Sequence, residues 1–221
     1  MTGWGNIVLD RPWLTLPLGA PHRVLSWALN RPGFVDADTI LWREVRNADL
    51  PQDFDVKTWL CDALQDRDMA DAVAFLTSRD VRAFESATVR VAGVEARAIA
   101  TVGLSNAEHV GARMDRSNRD WGTINVAVQV SAGLSDAALI EALSIVAQAR
   151  TAAVMALGHE LPTGISTGTG TDCIAMAAPA GDIAFAGLHT DVGEAIGASV
   201  HAAVLAGGQD WMQNVRRAGV F

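Results

Sequence analysis

Residues 163–201 read T-G-I-S-T-G-T-G-T-D-C-I-A-M-A-A-P-A-G-D-I-A-F-A-G-L-H-T-D-V-G-E-A-I-G-A-S-V-H. The stretch opens with a loop in which glycine and threonine alternate, and the loop stops at Asp172. Gly168 and Gly170 permit positive φ and a close approach of backbone to ligand. Thr167, Thr169 and Thr171 set a hydroxyl at every second position, and Asp172 closes the loop with a carboxylate. Such a loop is either a solvated linker or part of a site; its place between buried elements favours the site. A phosphate cradle fits less well, because the chain has neither GxxxxGK[ST] nor GxGxxG after a strand. Beyond Asp172, D172-C-I-A-M-A-A178 and I183-A-F-A186 read as a buried hairpin around P-A-G-D. Asp191-Val-Gly-Glu194 has the spacing of a capping box, so Glu194 either caps a helix or takes part in chemistry. His189 sits just before that cap, in a site position. The helix then follows Val192, Ile196, Val200 and Val204.

Working upstream, W121-G-T-I-N-V-A-V-Q-V130 is a strand with Ile124, Val126, Val128 and Val130 on one face. Asn125 lies on the other face, where an unpaired buried amide costs about 1–3 kcal/mol. It therefore bonds neighbouring backbone or reads a substrate amide. Ser135 caps a helix over 136–157, stopped by Gly158. Its apolar stripe (Leu139, Leu143, Val146, Val154, Leu157) is interrupted by Arg150, whose guanidinium must be paired, open into a pocket, or snorkel. T-V-R-V91 and V94-E-A-R-A-I-A-T-V102 form an antiparallel hairpin, with Asn106 just past its end. The segment 109–120 is polar and loop-like. Nearer the N-terminus, H22-R-V-L-S-W-A-L29 is the best strand, preceded by short pieces broken at Pro12, Pro17 and Pro21. Ser26 and Asn30 lie at its end, as site groups or as a buried hydroxyl and a turn former. Helices are expected after Asp36 (through Ile40, Leu41 and Val45), over 56–64 after a cap at Asp55, and over 68–78. The tail 211–217 reads as a short docking helix.

Composition narrows the function classes. The chain has 221 residues, half of them hydrophobic and 19% charged, which excludes a disordered chain. A net charge of −8 argues against a nucleic-acid partner. No apolar run of membrane-spanning length and no secretory leader are expected, so the protein is read as cytoplasmic, with no membrane partner. Two cysteines make neither a metal motif nor a disulfide scaffold. Seven tryptophans occur, five before residue 60, as an aromatic wall for a flat ligand or as an N-terminal core.

G122-T-I-N-V-A127, T167-G-T-G-T-D172 and A186-G-L-H-T-D-V-G-E-A-I-G197, in that order and spacing, resemble the adenosylcobinamide amidohydrolase family. Weaker similarity runs through L25-S-W-A-L-N30, D71-A-V-A-F-L-T77 and T101-V-G-L-S-N-A107. The resemblance implies hydrolysis of the amide that joins aminopropanol to a corrin propionyl arm, in corrinoid salvage. The implied partner is a corrinoid small molecule. No cofactor is required that the sequence shows, the cobalt arriving with the substrate, and a homo-oligomer is compatible. His189, Glu194 and Asp172 are ligand types, but no spacing marks a zinc site, leaving metal dependence open. The family usually has Glu-Ala-Lys where this chain has Gln148-Ala149-Arg150, keeping the positive charge and losing the acid.

The chemistry needs an attacking group, an oxyanion site and a proton for the leaving amine. Asp172 and His189 are candidate base and acid, Thr169 and Thr171 candidate nucleophiles if a base activates them, and Glu194 a further catalytic candidate. Asn125, Asn106, Arg150, Ser26, Asn30, Thr167, Gly168 and Gly170 are candidates for binding substrate. The fold expected is α+β, one domain over 1–221, with a mainly antiparallel or mixed sheet and helices packed on it. Rival readings are a corrinoid-binding relative without catalysis and a small-molecule phosphotransferase using the Gly/Thr loop.

Overall fold

A computed structural model describes residues 4–46, 53–115 and 121–216. In chain order the strands are β1 (Val8–Asp10), β2 (Trp13–Ser26), β3 (Gly33–Glu44), β4 (Val73–Thr77), β5 (Glu85–Val91), β6 (Val94–Val102), β7 (Ala107–Glu108), β8 (Ile124–Val130), β9 (Glu160–Leu161), β10 (Gly164–Ile165), β11 (Gly168–Thr169) and β12 (Cys173–Ala178). The helices are α1 (Val56–Gln65), α2 (Asp136–Ala156) and α3 (Asp191–Asp210). The main sheet has eight strands in the order β4-β3-β2-β12-β8-β6-β5, with β1 paired to β2. Its pairs β3–β4 and β8–β12 are parallel and the others antiparallel. The fold is therefore α+β with a mixed sheet.

Two strands overturn helical expectations. Residues 36–44 belong to β3, and 68–78 hold a turn followed by β4. In β3 the run Ile40-Leu41-Trp42 is fully buried, as are Val73 and Ala74 in β4 to within 1%. A strand covered on both faces loses the alternation that separates it from a helix. α1 crosses between these two parallel strands and packs Leu60 and Leu64 on Leu41, Trp13 and Ala74. Asp55 caps it, accepting from Thr58 N. The break at Pro12 separates β1 from β2, but the pieces beyond it are one long β2, and Pro17 and Pro21 sit where its register on β3 shifts. The hairpin expected after Asp172 is absent: β12 lies inside the sheet between β2 and β8, and Ile183 makes only an isolated bridge to Leu134.

The sheet curls on itself. Asn125 of β8 donates to Leu76 O of β4 at 2.7 Å, and Thr101 of β6 reaches Thr77 at 3.4 Å, although β4 and β8 are four strands apart in the sheet order. Leu14, Leu16, Ile40, Trp42, Phe75, Ile99, Ala127 and Ala175 fill the concave side, each large side chain contributing about 1.5–3 kcal/mol. At the far end Gln129 closes the interior, donating to Leu18 O at 2.8 Å and accepting from Arg97 at 3.0 Å.

The convex side is covered by α2 and α3 over Val126, Val128, Ile174 and Met176. Ser135 caps α2, accepting from Ala138 N, and Gly158 follows its end at φ +62. By length and composition α2 could cross a membrane, contrary to the expectation of no such run. Its apolar side is accounted for by Leu139, Ile145, Val146 and Val154, buried against the sheet and α3. Thr190, rather than Asp191, caps α3, accepting from Gly193 N. Trp211–Val215 continue α3 as a π-helical turn, so the tail is no separate docking helix.

Gly193 packs where α3 enters beneath the 186–187 turn: a Cβ there would collide with Gly187 O and Ala186 O, whereas at Gly197 it would meet only Ile145 Cγ2 at 3.6 Å. Gly193→Ala should therefore destabilise the protein by about 1–3 kcal/mol. Gly197→Ala should be neutral or stabilising by up to about 1 kcal/mol. Urea denaturation of both variants checks the pair.

Candidate active site

The ends of β2 and β4 and the starts of β8 and β12 meet at one end of the curled sheet. A cavity of about 460 Å³ opens there. Its floor and walls are largely apolar (Ala28, Val45, Ala74, Phe75, Leu76), with Thr123, Thr171 and Cys173 adding polar atoms.

The Gly/Thr loop is built by its own threonines. Thr167 is buried; its N–H donates to Glu108 O at 2.8 Å, and its hydroxyl accepts from Val110 N at 2.8 Å. Gly168 and Thr169 then pair with β7 as β11. Asp172 turns its carboxylate back into the loop. One oxygen accepts from Arg150 and from Thr169 N at 3.0 Å. The other accepts from the Thr169 hydroxyl and from Ile124 N at 3.1 Å. A carboxylate has about four lone-pair sites, so Asp172 is saturated. All four donors belong to the protein itself, and the Thr169 N–H that a phosphate nest would offer already serves this carboxylate.

Arg150 is thus paired as its place in the apolar stripe required. Burial lowers the pKa of its guanidinium. Gly168 is needed for close approach: a Cβ would strike both Arg150 and Asp172. Neither Gly168 nor Gly170 has the positive φ expected of them; within this stretch that conformation belongs to Gly164, at +124. Gln148 is exposed on α2 and does not line the cavity, so the acid replaced there is no loss to it.

Thr171 is exposed at the cavity wall, donating to Gly122 O at 2.8 Å and accepting from Asn106 Nδ2 at 3.4 Å. Asn106 is itself buried behind Gly122, with its Oδ1 unpartnered. Asn125 is satisfied by Leu76 O, with the Thr123 hydroxyl 3.3 Å from its Oδ1. Ser26 donates to Ile174 O at 2.7 Å, and Asn30 bridges to Ala72 O and Ala74 N. These last three tie the sheet and its flanking turn together, and of them only Asn125 also lines the cavity.

His189 and Glu194 are not in this cluster. Both are exposed, at the end of the molecule where Glu141 of α2 accepts from Ala186 N at 2.6 Å. Glu141 and Arg150 lie nine residues apart on α2, roughly 13 Å along its axis. His109 is held by Ile165 O at 2.7 Å, away from the cavity lining. Among the described residues no three His, Cys, Asp or Glu side chains converge as a metal site.

The sequence singled out neither Cys173 nor Trp121, and marked Trp27 only as one of the five N-terminal tryptophans. Cys173 follows Asp172, Trp27 donates to Asp172 O at 2.8 Å, and Trp121 is 61% exposed at the cavity mouth. Burial pushes the Cys173 thiol up to about 11 from an ordinary 9.0. It stays protonated at neutral pH, so it should react with iodoacetamide about a hundredfold more slowly than an exposed thiol. Alkylation kinetics of a Cys61→Ser variant measure this, and a faster rate at rising pH should not level off until near pH 11. A second test addresses the ion pair. Arg150→Met and Asp172→Asn should each cost about 3–5 kcal/mol, and the double variant less than their sum, because each single change strands the other partner. Denaturant melts of the three variants read the coupling.

No curated protein matches the chain. Among solved structures it is similar to the PH0078 protein from Pyrococcus horikoshii OT3, with 12% identity and a TM-score of 0.45 over 88% of this chain and 76% of that one. The family model for adenosylcobinamide amidohydrolase matches residues 5–216, almost the whole of the chain that carries the cavity and its loop, and the chain belongs to the adenosylcobinamide amidohydrolase family.

Proposed function

We propose that this protein hydrolyses the aminopropanol amide of adenosylcobinamide, giving adenosylcobyric acid for corrinoid salvage. Water is added across the C–N bond: oxygen goes to the propionyl carbon, and the amine leaves with a proton. The observation that carries the reading is positional. Two of the three stretches that mark the family, 122–127 and 167–172, supply lining residues of one cavity.

In this reading the loop's groups take different roles. Thr171, whose hydroxyl lies at the cavity wall with its proton on Gly122 O at 2.8 Å, is the candidate attacking group. The Thr169 hydroxyl is committed to Asp172, and Asp172 acts by holding the loop rather than by touching substrate. One observation favours the reading of a relative that binds corrinoid without cleaving it. Among the described lining residues Asp172 is saturated and Cys173 is protonated at neutral pH, which leaves general-base work without an uncommitted acceptor.

Incubation with adenosylcobinamide, reading corrinoid mass and released aminopropanol, separates the two. Release with the primary amides intact is expected; binding without release would favour the binding relative. Thr171→Val should lower kcat by about two to four powers of ten with folding intact, and near-normal turnover would remove Thr171 from the chemistry. Equal specificity constants for adenosylcobinamide and a plain aliphatic amide would overturn the corrinoid assignment.

A further inference from the structure

We infer that the site is divided in two: the cavity takes only the amide-bearing arm, and Trp27 with Trp121 forms a platform outside it for the flat macrocycle. The inference rests on the corrinoid reading and deepens it by naming the residues that recognise the ring. A cavity of about 460 Å³ is within the range that encloses a drug-sized ligand. An adenosylated corrinoid is much larger, so its ring must lie at the mouth if its arm is inside.

The mouth is built for such a face. Trp27 is 47% exposed, Leu29 43% and Trp121 61%, and all three line the opening. Of the other tryptophans, Trp13, Trp42 and Trp211 are buried to 5% or less, while Phe185, 71% exposed, stands apart from the cavity lining. Exposed apolar residues scattered singly need no explanation, but two indoles and a leucine around one opening form a recognition patch. The faces of a corrin ring are broad and largely apolar, which matches indole surfaces better than a polar rim would.

Trp27 is also preorganised. Its Nε1–H donates to Asp172 O at 2.8 Å, so the indole is fixed to the residue that anchors the Gly/Thr loop. A stacking group held in place loses little freedom on binding. Ring docking is thereby registered against Thr171, the residue before Asp172 in the loop and a wall of the cavity. Trp27 and Trp121 are specificity-determining residues, and their contribution is to affinity for the ring.

Cobyric acid is the discriminating probe, since it has the macrocycle without the aminopropanol arm. It should bind the wild-type protein and protect Trp27 and Trp121 from oxidation by N-bromosuccinimide, read by peptide mass, while aminopropanol alone protects neither. Equilibrium dialysis should show its affinity falling about tenfold in Trp27→Leu and in Trp121→Leu. Trp27→Phe, which keeps a ring but loses the bond to Asp172 O, should stay within about threefold of wild type. The protection measurement needs no variant to fold. Failure of cobyric acid to bind, absence of protection, or equal affinity across folded variants would overturn the platform. Amine release from adenosylcobinamide without protection would leave the hydrolase reading standing and sink the platform. Protection without amine release would do the reverse.

Discussion

The site end of this molecule depends on the bond between Arg150 and Asp172. Through one carboxylate, α2, the Gly/Thr loop and the first residue of β8 are joined. Through the main-chain oxygen of the same residue, the segment after β2 is added by Trp27. Asp172 and Arg150 have side-chain exposures of only 8% and 17%, so neither is well solvated if its partner is lost. Attraction between partly buried ions is largely offset by the cost of taking them from water. What the pair contributes is geometry. It holds the Thr169 hydroxyl in place, and a Cβ at residue 168 would displace both partners of the pair.

The curled sheet raises a related problem, since strands brought together by curvature have no ladder of backbone bonds between them. β8 answers it with two amides four residues apart on the face turned to the interior. Asn125 reaches Leu76 O across one end, and Gln129 reaches Leu18 O across the other. Ala127 lies between them, small enough to leave room for Trp42 and Phe75, which meet edge to face at 5.1 Å. A buried amide is costly unless it is paired. Here the pairing partners are main-chain carbonyls of distant strands, so each amide stands in for a missing ladder bond.

Much of this was legible in the sequence, and the failures have physical causes. The caps at Asp55 and Ser135, the β5–β6 hairpin and β8 follow from short-range rules that tertiary packing leaves alone. Arg150 was legible as a charge in need of a partner, because nothing local could solvate it. β3 and β4 were not, since burial on both faces erases their period. Nor was the position of His189. The sequence places it seventeen residues beyond Asp172, but the intervening β12 is six residues long and carries the chain about 20 Å away. α3 begins at that far end and returns to the site end only at Asp210, which pairs with Arg79.

The far-end stretch 186–197 nevertheless bears on the site through α2. Ala186 N is held by Glu141, and a Cβ on Gly187 would come 2.7 Å from Glu141 Oε1. Gly193 lets the start of α3 seat directly under that turn, and α3 then runs parallel to α2, past Ile145 beside Gly197 to Leu157 against Gly208. A helix held at its first turns, along its side and at its last residue has little freedom to rotate or slide. Arg150 projects from the middle of that rod. Its guanidinium meets Asp172 only at one rotation of α2, so glycines packed about the Glu141 end of that helix, roughly 13 Å along it from Arg150, help to define the shape of the loop. A motif remote from the chemistry can thus belong to the same device as the loop that lines the cavity.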